Sequence, residues 1–240
     1  MANRYGSARP AWFAALAGSW HVRVWVGLLT CGVCPVASAQ VLVHQEPLHR
    51  VAFENATLRI LDVNYRSGET SQDHIHSNDI AIVCIRGCEL RTRPLGDQWS
   101  DATARRPGET TVTAYAGQPV AHRHQNVGSS LYSAISVENL RHTGWIEDSS
   151  GSGSPANLAS RTRAFQVSDV RLGAGANEYR HVHIFPTVTV MISGQAIVRG
   201  SPADKVLDHP GAWVAIPAGA FHTLVAVGKG DAYVVEIEVR

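Results

Sequence analysis

The sequence has no block of like charges. Charged residues make up 17% of its 240 residues, and the formal net charge is +1. Nucleic acids and anionic membrane surfaces bind concentrated basic charge, and the chain also lacks a basic stripe or a helix-turn-helix pattern. We therefore expect neither as a partner. An apolar content of 45% is that of an ordinary globular protein.

The chain also lacks an apolar run long enough to span a bilayer near its start. The run at residues 24–34 has about 11 residues, whereas a transmembrane helix needs about 20. Three arginines precede it and an Ala-Ser-Ala site at residues 37–39 follows it, a pattern that predicts a secretory signal peptide over residues 1–39. The mature protein is then periplasmic or extracellular and has no membrane attachment. A disordered tail and a lipoprotein signal are the alternatives, the latter disfavoured by Thr30 before Cys31.

Cysteine is scarce, with four in the chain. Removal of the predicted signal peptide takes Cys31 and Cys34 and leaves Cys84 and Cys88, which flank a predicted two-residue turn. Across such a hairpin the two sulfurs would point to opposite faces, which disfavours a disulfide. We therefore expect two small apolar strand residues there.

Helix-period apolar stripes are scarce as well, and runs of Val, Ile and Thr broken by Gly and Pro predict an all-β protein. A Gly/Ser-rich stretch predicts a flexible linker over residues 147–160. It separates a predicted N-terminal domain, residues 40–146, from a predicted C-terminal domain, residues 161–240.

The two halves repeat one pattern, G-x5-H-x-H. It starts at Gly68 in the first half, ending in His74 and His76, and at Gly175 in the second. The second ends in His181 and His183. Residues two apart in a strand share a face. A third histidine from a neighbouring strand, His122 in the first half and His222 in the second, would complete a facial triad for a divalent transition metal.

These motifs resemble those of the cupin superfamily. In the second half, Gly175, His181, His183 and Gly194 fall on the first cupin motif, and Gly211, Pro217, Gly219 and His222 fall on the second. In the first half the first motif is matched at Gly68, His74, His76 and Gly87, and the second more loosely, at His122 and Asn126. The resemblance implies tandem cupin double-stranded β-helix (jelly-roll) barrels, a bicupin.

The departures from the motifs concern the metal site. The glutamate of the first cupin motif is replaced by Ile80 and Thr187, and Ala226 replaces the asparagine of the second motif. Each site is therefore expected to be three-His, which resembles the three-His Fe(II) dioxygenases of the superfamily. An Fe(II)-dependent, oxygenase-type enzyme is therefore favoured. The alternatives are a non-redox isomerase, cyclase or lyase that uses Zn, Ni or Mn, and a non-catalytic cupin that binds a small molecule.

Three further residues are weaker candidates for catalysis. Glu69 and Glu178 lie in the loops before each H-x-H, and His124 shares the strand face of His122. Each has an alternative, a solvated loop acid or a solvent-facing histidine. A small molecule is the expected ligand or substrate, and the sheet edges of small jelly-roll barrels are compatible with a homodimer.

Overall fold

A computed structural model describes residues 40–141, 157–178, 180–200 and 203–240. The predicted signal peptide and most of the predicted linker lie outside this part of the chain. Within it, no helix is long and apolar enough to cross a membrane. The helical structure of the described residues is one 3-10 turn, Val43–Gln45, and the rest of their regular structure is β.

The first barrel consists of ten strands in two five-stranded sheets. Its strands are β1 (Val41–Leu42), β2 (His49–Glu54), β3 (Leu58–Tyr65), β4 (His74–His76), β5 (Asp79–Arg86), β6 (Glu89–Pro94), β7 (Thr103–Ala104), β8 (Thr110–Thr113), β9 (Val120–Asn126) and β10 (Tyr132–Asn139). The orders are β1-β4-β9-β6-β7 and β2-β3-β10-β5-β8. Non-consecutive strands are therefore neighbours in both sheets, as in a jelly roll.

The second barrel repeats this arrangement with nine strands. They are β11 (Asn157–Arg161), β12 (Phe165–Leu172), β13 (His181–Val182), β14 (Thr187–Ser193), β15 (Ala196–Arg199), β16 (Lys205–Leu207), β17 (Trp213–Ile216), β18 (Phe221–Ala226) and β19 (Ala232–Val239). The sheet orders are β11-β12-β19-β14-β17 and β13-β18-β15-β16. The all-β, tandem-barrel prediction is confirmed. Strand β11 occupies residues that the sequence assigned to the linker.

The two barrels share one hydrophobic core. It joins alternate residues of β3, β5 and β10, such as Ile60 and Val137, to alternate residues of β12, β14 and β19, such as Val235 and Ile237. Because side chains alternate along a strand, the residues between these apolar ones point into each barrel. That alternation explains why strands with one face in the shared core carry buried polar groups on the other.

A buried carboxylate inside the first barrel shows how such polar groups are stabilised. In the first barrel, Glu138 of β10 is fully buried and accepts hydrogen bonds from Arg59 at 2.6 Å and Asn78 at 3.0 Å. Burial of a carboxylate is tolerated because both of its oxygens are satisfied and a guanidinium balances its charge.

Gly87 and Gly194 match the last position of the first cupin motif and sit where the chain crosses between sheets. Both have positive φ, +60° and +81°. An added Cβ would collide with the backbone carbonyl of Leu131 in the first barrel and of Asp231 in the second. Only glycine combines this backbone conformation with so close an approach.

The expectation of two unpaired cysteines is wrong, because Cys84 and Cys88 form a disulfide with a Cα–Cα distance of 6.0 Å. Strands β5 and β6 belong to different sheets, so the chain crosses from one sheet to the other instead of forming a hairpin. The register of β5 on β10 also shifts at this end of the strand. Both sulfurs therefore lie on the inner side of the barrel, where a hairpin would have separated them.

Candidate metal sites

The first site forms where β4 and β9 lie side by side. Their antiparallel register places His74 opposite His122, and His76 follows on the same face of β4. His124 joins from the next inward position of β9. One ring nitrogen from each of the four histidines lies within 4.8 Å of the others. The structure thus brings together the three predicted ligands and one of the weaker candidates.

The protonation of His74 follows from its hydrogen bond. Its Nδ1 lies 3.0 Å from the backbone oxygen of Gln72, which can only accept, so Nδ1 carries the proton and Nε2 has a free lone pair. This Nε2, Nδ1 of His76 and Nε2 of His122 are buried and have no hydrogen-bond partner. Buried polar atoms are rarely left unpaired, because that costs about 1–3 kcal/mol each. Three such nitrogens in one cluster fit the donor set of a transition metal.

The imidazoles of the first site are uncharged at neutral pH. Burial, with a smaller contribution from the neighbouring histidines, lowers the pKa of His76 to about 2 and that of His122 to about 3. Burial likewise lowers the pKa of His74 and brings that of His124 well below its ordinary value. Neutral imidazole is the metal-binding form, so these side chains need no deprotonation before they bind an ion.

Two further residues, Thr92 and His49, contact histidine rings of this cluster. His124 Nδ1 lies 3.0 Å from the hydroxyl of Thr92 on β6. His49, which sequence reasoning missed because it belongs to no motif, packs edge-on against the His74 ring with 4.7 Å between centroids. The His49 ring is itself held by the carbonyl of Val43 and by the hydroxyl of Tyr65, 2.7 Å from Nε2. Such contacts fix the orientation of a ligand ring.

The second site repeats this construction on β13 and β18. His181 lies opposite His222 in the register, and His183 follows two residues later. Glu236 of β19 completes a buried group of four whose ligand atoms lie within 4.8 Å of one another. Sequence reasoning missed Glu236. The alternating Val-Glu-Ile-Glu-Val of β19 was the available signal, since its valines and isoleucine face the shared core and its glutamates must face inward.

Carboxylates dominate the electrostatics of the second site. Glu236 lies 3.6 Å from Nε2 of His183 and 3.8 Å from Nε2 of His222, and it accepts a hydrogen bond from Thr189 at 3.2 Å. Nδ1 of His183 is 3.2 Å from Glu238. Burial opposes protonation of His183, but the two glutamates outweigh it and raise its pKa to about 9. Burial likewise opposes ionisation of Glu236, and its histidine contacts nevertheless lower its pKa.

The strand registers identify the equivalent positions in the two barrels. Glu236 pairs with Thr189 on β14, and Ser136 pairs with Ile82 on β5, in the same place relative to the H-x-H. The first site therefore has Ser136 where the second has Glu236. Along β9 and β18 the relation is reversed, since His124 in the first barrel corresponds to a buried leucine in the second.

The two candidate acids have different surroundings. Glu69 accepts a hydrogen bond from the backbone N–H of Arg66 at 2.7 Å, which closes its own loop, and it is not part of the first histidine group. Glu178 is buried, with Oε2 3.8 Å from Nδ1 of His181. The structure therefore places Glu178, and not Glu69, beside a histidine cluster.

The first site opens on a cavity of about 190 Å³. His76, His122 and His124 line one part of it, and Tyr115 stacks on the His76 ring at 4.8 Å between centroids. Burial raises the pKa of Tyr115, so its phenol is a neutral hydrogen-bond donor. The arrangement provides room for a small molecule next to the unpaired ring nitrogens.

The two-barrel architecture is that of the cupin fold. Among solved structures, the chain is similar to AerE from Microcystis aeruginosa, with a TM-score of 0.55 and 11% identity over 81% of this chain and 98% of that one. It is similar to salicylate 1,2-dioxygenase from Pseudaminobacter salicylatoxidans, with a TM-score of 0.56 and 14% identity over 77% of this chain and 71% of that one.

A cupin 2 conserved barrel domain protein from Leptotrichia buccalis gives a TM-score of 0.52 and 9% identity over 80% of this chain and 88% of that chain. No protein-family model matches the sequence, and no curated protein matches it. At these identities the likeness establishes the cupin fold, and the chemistry has to be argued from the sites themselves.

Proposed function

We propose that the protein is a metal-dependent enzyme acting on a small organic molecule, with an Fe(II)-dependent, oxygenase-type reaction favoured. The observation that carries the proposal is the group of three buried, unpartnered ring nitrogens of His74, His76 and His122 beside a cavity. A neutral imidazole donor set suits Fe, Zn, Ni and Cu.

The side chains of the first site have separable tasks. His74, His76 and His122 would hold the ion, and the contact of His74 Nδ1 with Gln72 fixes the ring so that Nε2 faces the cluster. An Fe(II) ion bound there would supply open coordination positions at which substrate and dioxygen meet. Tyr115, stacked on His76, forms one side of the cavity.

The second site supports a related but distinct proposal. Three imidazoles and Glu236 would hold a divalent ion, and the carboxylate would offset part of its charge. Glu238 and Glu178 lie next to two of these imidazoles and could accept or release protons. This proximity favours non-redox chemistry with Zn, Ni or Mn, of the isomerase, cyclase or lyase kind, at the second site.

Metal content of the purified protein tests these proposals. We would measure Fe, Zn, Ni and Mn by elemental analysis for the wild type and for His74→Ala and His181→Ala. Each variant should lose the metal of its own half and keep that of the other, so that the retained metal shows that the protein is folded. Iron lost from His74→Ala, together with dioxygen consumption in the presence of small organic acids, is the result expected for an oxygenase.

Other outcomes separate the alternatives. Zinc, nickel or manganese at both sites without dioxygen consumption would replace the oxygenase proposal by non-redox chemistry. A wild-type protein that binds none of the four metals, even after reconstitution, would contradict the enzyme proposal and leave a cupin that binds a small molecule.

We also propose that the protein is exported, as the signal-peptide pattern of residues 1–39 predicts. The Cys84–Cys88 disulfide supports this, because disulfides persist in oxidising compartments and are rare in the cytosol. Export predicts a mature protein that begins near Gln40 in the periplasmic or culture fraction, as read by N-terminal sequencing. A full-length protein confined to the cytosol would contradict the proposal.

A further inference from the structure

The cavity at the first site has an unbalanced charge. Its lining consists of apolar side chains, threonine and serine hydroxyls, tyrosines and histidines, and it includes no aspartate or glutamate. Arg105 is the one lysine or arginine among the lining residues. The cavity therefore carries a positive charge before any metal binds.

Arg105 has no acidic partner in the part of the chain that the structure describes. Two other arginines of this barrel, Arg59 and Arg123, make ion pairs with Glu138 and Asp73. Arg91 and Arg93 instead lie over the ring of Trp99. Arg105 is half-buried. Its positive charge acts on two tyrosines of the cavity wall, Tyr115 and Tyr132, and opposes the increase in their pKa that burial causes. A partly desolvated guanidinium gains most from an anion that it can contact with several N–H groups.

The backbone at Arg105 is fixed to the disulfide. The N–H of Arg105 donates to the carbonyl of Cys88 at 2.8 Å, and the N–H of Gly108 donates to the carbonyl of Cys84 at 2.8 Å. Because a disulfide joins the two cysteines, both ends of the segment from Arg105 to Gly108 are hydrogen-bonded to the same cross-linked pair. The disulfide thus fixes the backbone that carries the cation in the cavity wall.

We propose that the first cavity binds a small organic carboxylate, with Arg105 contacting the carboxylate group and the histidine cluster facing the rest of the molecule. This assignment rests on the proposed function for its chemical purpose, but carboxylate binding itself requires only the cavity. A volume of about 190 Å³ lies below the roughly 300–1,000 Å³ typical of pockets for drug-sized ligands, which selects a small acid. Ile80, Ile82 and Leu61 provide apolar wall for its carbon skeleton, and Thr111 and Thr113 provide hydroxyls.

Binding of matched acids and amides tests the proposal. The probes are acetate against acetamide and benzoate against benzamide, titrated calorimetrically into the metal-free protein and into the zinc-loaded protein. We expect at least one carboxylate to bind and its amide to bind at least tenfold more weakly. Arg105→Gln should weaken carboxylate binding about 10- to 100-fold, as expected for loss of a hydrogen bond between charged groups. Arg105→Lys should restore part of it.

Arg106→Gln is the matched control, since Arg106 is the exposed neighbour of Arg105 and does not line the cavity. It should leave carboxylate affinity unchanged. Equal binding of acids by the wild type and Arg105→Gln, with zinc content and melting temperature preserved in both, would overturn the inference while leaving the metal proposal intact. Failure to load any metal, with carboxylate binding to the metal-free protein still dependent on Arg105, would support the inference and contradict the proposed function instead. Acids and amides bound equally well would also overturn it.

Discussion

Metal binding at the two sites should respond differently to pH, and the difference follows from His183. In the second site this imidazole has a pKa of about 9, so at pH 7 it carries a proton that a metal ion must displace. In the first site the pKa of His76 is about 2 and that of His122 about 3, so neither imidazole carries a proton that a metal ion must displace. Metal binding at the second site should release about one proton per ion from His183, and binding at the first site none from these two ligands.

The magnitude follows from the same values. Below the pKa of a competing proton, apparent affinity changes about tenfold per pH unit. Between pH 6 and pH 8, zinc affinity of the second site should therefore rise about 100-fold because of His183, whereas that of the first site should stay within about threefold.

The sites can be measured singly. His74→Ala reports on the second site and His181→Ala on the first, by zinc titration against a chelator of known affinity at each pH. Calorimetry in buffers of different ionisation enthalpy counts the protons released. Glu238→Gln removes one of the carboxylates that raise the pKa of His183 and should flatten the pH dependence of the second site. Equal pH dependence at both sites, or no effect of Glu238→Gln, would refute the reasoning.

Three further predictions concern the sites and the first barrel. Glu236→Gln should lower zinc affinity of the second site at least tenfold, measured by chelator competition in the His74→Ala background. Reduction of the Cys84–Cys88 disulfide should lower the free energy of unfolding by about 2 kcal/mol in urea titrations, as the short loop implies. An unchanged free energy of unfolding would contradict this and show that strain in the native state cancels the stabilisation by loop closure. Glu138→Ala should cost about 3 kcal/mol because it removes the buried partner of the Arg59 guanidinium, which keeps its ion pair with the partly exposed Glu54. Arg50→Ala, at an exposed ion pair, should cost under about 1 kcal/mol.

The histidine pairs and the cupin fold were predictable because they depend on local spacing. H-x-H places His74 with His76 wherever a strand forms, and the repeat in the second half made a chance pattern unlikely. The disulfide was not predictable in this way. Its geometry depends on whether Cys84 and Cys88 lie in one hairpin or at a crossing between two sheets, which is a property of the topology.

Glu236 was missed for a different reason. An alternating strand in which every second residue is glutamate normally has one face in the core and the other in water. In β19 the apolar face packs against the other barrel, so the polar face is left for the interior. Which side of a two-faced strand is inside cannot be read from the strand alone, since it depends on the second barrel.

The two sites share one construction but differ at two equivalent positions. The first has Ser136 where the second has Glu236, and it has His124 where the second has Leu224. An imidazole donor leaves the charge of a bound ion intact, while a carboxylate offsets part of it. The first site also faces an acid-free cavity with Arg105 in its wall, whereas the second is surrounded by three glutamates. An anionic substrate is therefore favoured at the first site and disfavoured at the second, so a reaction of an organic acid should depend on His74 and Arg105 and tolerate loss of His181.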